Sequence, residues 1–169
     1  VLYWRYLASR RYQKDLQEKN ERIESAKQRS DDLLLNILPA AVATELKQNG
    51  KAQARRHPMV SVLFADFKGF SQLAADMEAN QIVSILDEAF QAFDRIGREY
   101  GLEKIKTIGD AYMAATGLPD ATEDHAEKIV LAGLKMQVYL EEHPHFSARI
   151  GIHSGPVVAG VVGLDKFAY

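Results

Sequence analysis

The chain has 169 residues, 47% of them hydrophobic, and a formal net charge of −2. That is enough apolar material for one buried core, and the balanced charge offers no basic excess to recommend nucleic acid as a partner. It contains no cysteine, which excludes a disulfide framework and a thiolate metal site, so any metal must be held by oxygen or imidazole.

The opening Val1-Leu2-Tyr3-Trp4-Arg5-Tyr6-Leu7, with Arg10-Arg11 behind it, combines interfacial aromatics with positive charge. Two readings stand: the point where a transmembrane helix enters the cytoplasm, or the start of an amphipathic helix. No stretch within the chain approaches bilayer length and no signal-peptide core is visible. The expectation is a cytoplasmic domain, fed by an upstream sensor or membrane domain in a membrane-anchored protein.

From about Arg10 to Ile37 the sequence is polar and free of Pro and Gly, and it predicts one long helix. Tyr12, Leu16, Lys19, Ile23, Ala26, Ser30, Leu33 and Ile37 fall on alternating four- and three-residue steps, the seam of a heptad repeat. Lys19 and Ser30 weaken that seam, so the coiled coil is expected to be marginal and switchable. Pro39 breaks the helix, a short one from Ala40 to about Gln48 follows, and Asn49-Gly50 ends it. Residues 1–38 thus read as a juxtamembrane segment and signalling helix. Residues 39–58 read as a short element plus linker, with the basic stretch Lys51 to Pro58 as solvated loop.

The globular part, residues 59–169, alternates strand and helix signals. Val60 to Phe67 is apolar on both faces, hence a central strand. Asn80 to Tyr100 carries Ile82, Val83, Ile85, Leu86, Ala89, Phe90, Phe93 and Ile96 at helical spacing and stops at Gly101. Leu102 to Ile108 and Ala111 to Thr116 flank Gly109-Asp110, the chemistry of a two-residue hairpin. Thr122 to about Glu142 predicts a second helix with Thr122 as N-cap. Phe146 to His153 and Val157 to Val162 predict two further strands. The order strand, helix, strand, strand, helix, strand is the split βαβ of an α+β, ferredoxin-like core.

In that topology the first strand and the hairpin are neighbours, so Asp66 and Asp110 can converge despite their separation in sequence. Paired carboxylates at strand ends suit two Mg²⁺ (or Mn²⁺) ions. Phe67-Lys68-Gly69-Phe70-Ser71 then turns into a helix whose first N–H groups can cradle a polyphosphate. Singly, an Asp at a strand end is often a cap and a Gly-Asp turn only a turn. His153 is expected to be a packed or hydrogen-bonded strand residue, Ser154 shows no base partner, and His125, His143 and His145 default to solvent exposure.

The segment from Val60 onward resembles the catalytic domain of class III nucleotide cyclases. The resemblance rests on Phe64-Ala65-Asp66-Phe67-Lys68-Gly69-Phe70-Ser71, on Glu103-Lys104-Ile105-Lys106-Thr107-Ile108-Gly109-Asp110-Ala111-Tyr112-Met113, and on Arg149-Ile150-Gly151-Ile152-His153-Ser154-Gly155-Pro156-Val157-Val158-Ala159-Gly160. The preceding helix and its Leu-Pro break resemble the signalling helix and transducer element of such proteins.

The resemblance implies that Asp66 and Asp110, with the Phe67 carbonyl, hold both metal ions and that Lys68, Gly69, Phe70 and Ser71 bind the triphosphate. Lys106 implies adenine, because adenylate-forming members carry Lys here and guanylate cyclases usually Glu; Lys offers donors and no acceptor. It further implies ATP as substrate, cyclic AMP and pyrophosphate as products, and a head-to-tail homodimer that joins the aspartates of one subunit to Lys106 of the other. The chain stops at Phe167-Ala168-Tyr169, before the family's Asp, Asn and Arg that complete base and transition-state contacts, so alone it is expected to be inactive.

The alternatives are a guanylate cyclase and a non-catalytic dimerisation and relay module. A diguanylate cyclase is disfavoured, because its Gly-Gly-Asp/Glu-Glu-Phe hairpin is replaced by Ile108-Gly109-Asp110-Ala111-Tyr112. If the weak seam carries the signal, replacing Lys19 and Ser30 together with Leu locks cyclase output of the full-length protein at one level. Regulation by the native stimulus that is unchanged in this double variant would count against a switchable seam.

Overall fold

Alternation along one strand decides which residues point at the core. In a computed structural model of the chain, which describes residues 2–35, 38–70, 72, 77–143 and 147–161, β1 (Arg55–Phe67) turns Leu63, Ala65 and Phe67 inward and Phe64 and Asp66 outward. The hairpin β2 (Glu103–Ile108) and β3 (Ala111–Thr116) lies against one side of β1, and β4 (Ala148–Ala159) against the other. The sheet order is β2-β3-β1-β4 with every neighbouring pair antiparallel. This is the expected split βαβ arrangement.

Two helices cover one face of the sheet. The first of them, α3 (Ala79–Tyr100), buries Ala89, Ala92, Phe93, Ile96 and Gly97; Val83, read with its apolar stripe, is instead exposed. The second, α4 (His125–Glu142), buries Ile129, Ala132, Gly133, Met136 and Leu140. Phe67, Phe93 and Tyr112 form the centre of the core, with Phe93 edge-on to Tyr112 at 5.5 Å between centroids and stacked on Phe67 at 6.2 Å.

Two helices precede the sheet. α1 (Leu2–Leu35) is one continuous helix that starts earlier than the pattern from Arg10 predicts, and Pro39 precedes α2 (Ala40–Asn49). The seam residues Tyr12, Ile23 and Leu33 are 69%, 65% and 66% exposed, so no described residue buries them. Lys19 is held by Asp15 one turn earlier at 2.7 Å, and Ile37 lies outside the described residues. Asp31 of α1 pairs with Lys47 of α2 at 2.6 Å, and Glu45 of α2 pairs with Arg55 of β1 at 2.7 Å. These contacts join the long helix to the strand that carries Asp66 near its end. Among the described residues no helix is long and apolar enough to cross a membrane.

Three further boundaries differ from expectation. β1 begins at Arg55, inside the segment read as loop, because a register shift between His57 and Val60 accommodates Pro58. β4 is one strand through Pro156 and not two, since it lies at the sheet edge among the described residues, where a missing N–H costs little. Finally, α4 starts at His125 and Thr122 does not cap it. Its entry is set by tertiary contacts instead: Thr116 Oγ1 donates to the His125 carbonyl at 2.7 Å, and His125 Nδ1 lies 2.7 Å from the Ser61 hydroxyl.

Tyr112 is buried and donates its hydroxyl to Asp94 of α3 at 2.9 Å, while Lys104 reaches the other Asp94 oxygen at 2.8 Å. Burial, then the Asp94 carboxylate, raise the phenol well above its ordinary pKa. A phenol harder to ionise when folded contributes stability that is fully present below about pH 10 and is lost as pH rises further. Tyr112→Phe is therefore expected to lower stability by about 1 kcal/mol at pH 7, or about 2–4 °C in Tm, and to flatten the alkaline loss. Thermal unfolding followed from pH 7 to 11 checks both.

Candidate active site

The sheet register brings the two sequence-predicted aspartates together. Asp66 faces Ala111 across β1 and β3, and Asp110 is the residue before Ala111. Asp110 occupies the second central position of the β2–β3 turn, where Gly109 has φ 61° and Asp110 is not left-handed, the pattern of a type II′ hairpin. Any residue with a Cβ is strained at Gly109, so this turn fixes where Asp110 leaves the sheet. Both aspartates are partly buried, at the same end of the sheet.

Asp66 also faces Arg149 across β1 and β4, and Arg149 Nη2 donates to Asp66 Oδ2 at 2.6 Å. Asp110 takes part in no ion pair among the described residues. No cluster of three or more acidic, His or Cys side chains able to hold a metal occurs among the described residues. Two neighbouring hard carboxylates fit a Mg²⁺ or Mn²⁺ site that leaves its remaining positions to water and phosphate oxygens.

Beyond Asp66 the chain turns at Gly69, whose φ of 69° favours glycine. The Lys68 N–H donates to the Ser147 carbonyl at 2.8 Å, and the Gln72 N–H to Gly69 at 3.1 Å. The Lys68 amide is thus committed to the loop before β4, which corrects the expectation that it is free for phosphate; the exposed Lys68 side chain remains available. Phe67 is buried in the ladder opposite Ala148, Phe70 packs against the core, and Ser71 lies outside the described residues.

Lys106 pairs with Met113, which pairs with Phe64, so all three stand on the open face of the sheet. Asp66 shares that face two residues further along β1. Strand spacing and rise put Lys106 about 12 Å from Asp66 within one chain. Lys106 borders a groove of about 480 Å³ whose other walls include Val62, Ile105, Met113, Leu118 and Val157. The volume lies in the range of small-molecule sites, with one cationic group on an apolar wall.

Two histidines, His125 and His153, differ from their expected settings. His125 is not solvated but bonded to Ser61, whose hydroxyl also lies 2.6 Å from that of Ser154. Ser154, Ser61 and Thr116 face one another across three strands, a row no sequence pattern announces before the register is known. His153 is a strand residue but is exposed, not packed. His143 is exposed, as expected, and stacks on Tyr139 at 4.2 Å; His145 lies outside the described residues. The Asp66–Arg149 contact was missed for the same reason as the hydroxyl row: the only signal is an Arg in a strand, without its partner.

A ferredoxin-like α+β domain with an acidic pair at one end of an uncovered sheet face is the class the geometry defines. Residues 52–169 match the adenylate and guanylate cyclase catalytic domain family, and the chain belongs to that family. It is 38% identical over 159 residues to the bovine guanylate cyclase soluble subunit alpha-1, covering 91% of this chain and 23% of that protein. The dimeric guanylyl cyclase domain of a fusion protein from the aquatic fungus Blastocladiella emersonii superposes with a TM-score of 0.63 at 31% identity, covering 66% of this chain and 64% of that one. A bacterial light-regulated adenylyl cyclase shares the fold, with a TM-score of 0.72 at 22% identity over 89% of this chain and 47% of that one. The chain spans less than a quarter of the length of the bovine relative.

Proposed function

We propose that this chain supplies the catalytic domain of an adenylate cyclase, which converts ATP to 3′,5′-cyclic AMP and pyrophosphate. The observation that carries the reading is the placement of Asp66 beside Asp110 on the same sheet face as Lys106. Asp66 and Asp110, with the Phe67 carbonyl, would hold two Mg²⁺ (or Mn²⁺). Such ions neutralise phosphate oxygens and activate the attacking ribose 3′-hydroxyl. The Lys68-to-Ser71 loop would orient the triphosphate for in-line displacement at the α-phosphorus, so positioning and electrostatics do most of the catalytic work.

Lys106 would donate to adenine N1 while the apolar groove takes the ring. At guanine the same ammonium meets an N–H donor, which it cannot accept. Within one chain the two halves of the site stand side by side on one face, so two copies packed head to tail would set Asp66 and Asp110 of one against Lys106 of its partner. That such domains associate in pairs at all is supported by the fungal domain, whose dimer is described as non-canonical. Signals from an upstream sensor or membrane domain would enter through α1 and reach β1 by the Asp31–Lys47 and Glu45–Arg55 ion pairs.

A second reading, guanylate cyclase, is favoured by the relatives in hand, among them the bovine protein. Lys106 separates the two. In the full-length protein, Asp66→Asn is expected to lower turnover at least about 100-fold, whereas a non-catalytic relay would tolerate it. Lys106→Glu should move the preference from ATP toward GTP by about 10- to 100-fold in kcat/KM. Wild-type protein that turns over GTP faster than ATP would overturn the adenylate reading while leaving the cyclase intact.

A further inference from the structure

We propose that Arg149 is a built-in competitor of divalent cations for Asp66. The inference rests on the reading of Asp66 and Asp110 as metal ligands, and it goes beyond that reading by assigning a function to a residue outside the acidic pair. Arg149 and Asp66 are Cα partners across β4 and β1, so their side chains leave the same face of the sheet as direct neighbours. The guanidinium reaches Oδ2 at 2.6 Å, a charge-assisted contact on the atom a cation would need. Asp110, one residue from the other cross-strand partner of Asp66, carries no such pair among the described residues. One oxygen of Asp66 is therefore engaged by an internal cation, whereas Asp110 carries no ion pair among the described residues.

The closure is built to yield. The Arg149 and Asp66 side chains are 70% and 44% exposed, so water and salt screen the pair, and an exposed pair of this kind shifts an equilibrium by at most about fivefold. A Mg²⁺ ion needs well-placed oxygens in near-ideal geometry and would compete with the guanidinium for the lone pairs and the positive-charge environment of Asp66. Metal affinity of the chain on its own would thereby be lowered, and Arg149 would have to loosen its hold on Asp66 Oδ2 for a cation to take that oxygen. Arg149 is a positioning residue in this sense, acting on metal occupancy through Asp66.

Mn²⁺ alone, titrated into the 169-residue chain and followed by electron paramagnetic resonance, tests the proposal. Arg149→Gln should tighten Mn²⁺ binding by about two- to fivefold. In a parallel NMR experiment Mg²⁺ should shift the guanidinium proton signal of Arg149, and that shift should be absent in Asp66→Asn. The variant site is exposed, so folding is not at risk, and an unchanged circular dichroism spectrum confirms it. Binding that requires Asp66 and Asp110 yet is equal or weaker in Arg149→Gln overturns the competitor while leaving the metal site standing. Mn²⁺ binding indifferent to both aspartates overturns the metal-site reading and this inference together.

Discussion

The pairing of β1 with β3 is the constraint from which the rest follows. Asp66 opposes Ala111 only because Leu63, Ala65 and Phe67 are drawn to the helix-covered face, and a slip of one residue would turn Asp66 into the core and Phe67 out of it. The burial of Phe67 against Phe90 and Phe93, and of Tyr112 against Phe93, pins that register from behind. Hydrophobic packing on one face thus dictates where charge appears on the other. The type II′ turn then places Asp110 at the same level without further contacts.

The uncovered face carries three kinds of group in adjoining rows. Asp66 and Arg149 share one row, Phe64, Met113 and Lys106 the next, and the groove beside Lys106 is largely apolar. Anionic, cationic and apolar parts therefore lie within one small molecule's reach of each other once a second such face is added. Helices cover the opposite face and, among the described residues, none covers this one, so the packed core lies on one face and Asp66 and Lys106 on the other. The Tyr112–Asp94–Lys104 contacts hold the hairpin to α3, which keeps the turn at Asp110 fixed relative to β1.

Much of this was legible in the sequence. A run apolar on both faces gave the central strand, helical spacing gave both covering helices, and Gly109-Asp110 announced the hairpin turn. What escaped did so for definable reasons. Pro58 and Pro156 read as strand breakers, yet one sits at a register shift and the other on an edge strand, and neither setting is visible without the sheet order. Thr122 fits a cap rule, but His125 is fixed by Thr116 at the end of the preceding strand and by Ser61 on β1, 64 residues away. Arg149 belongs to a quoted motif, and only the β1–β4 register gives it Asp66 as partner. Local chemistry is written in neighbouring residues, whereas cross-strand partners are written in how far strands slide.

Mn²⁺ broadening of backbone amide NMR signals in the 169-residue chain probes the shared site directly. Amides of Ala65 to Lys68 and of Gly109 to Ala111 should lose intensity together at the same Mn²⁺ concentration, and either Asp66→Asn or Asp110→Asn should abolish both effects. Broadening confined to one of these segments, or surviving the loss of either carboxylate, would show that the two aspartates do not grip a common cation.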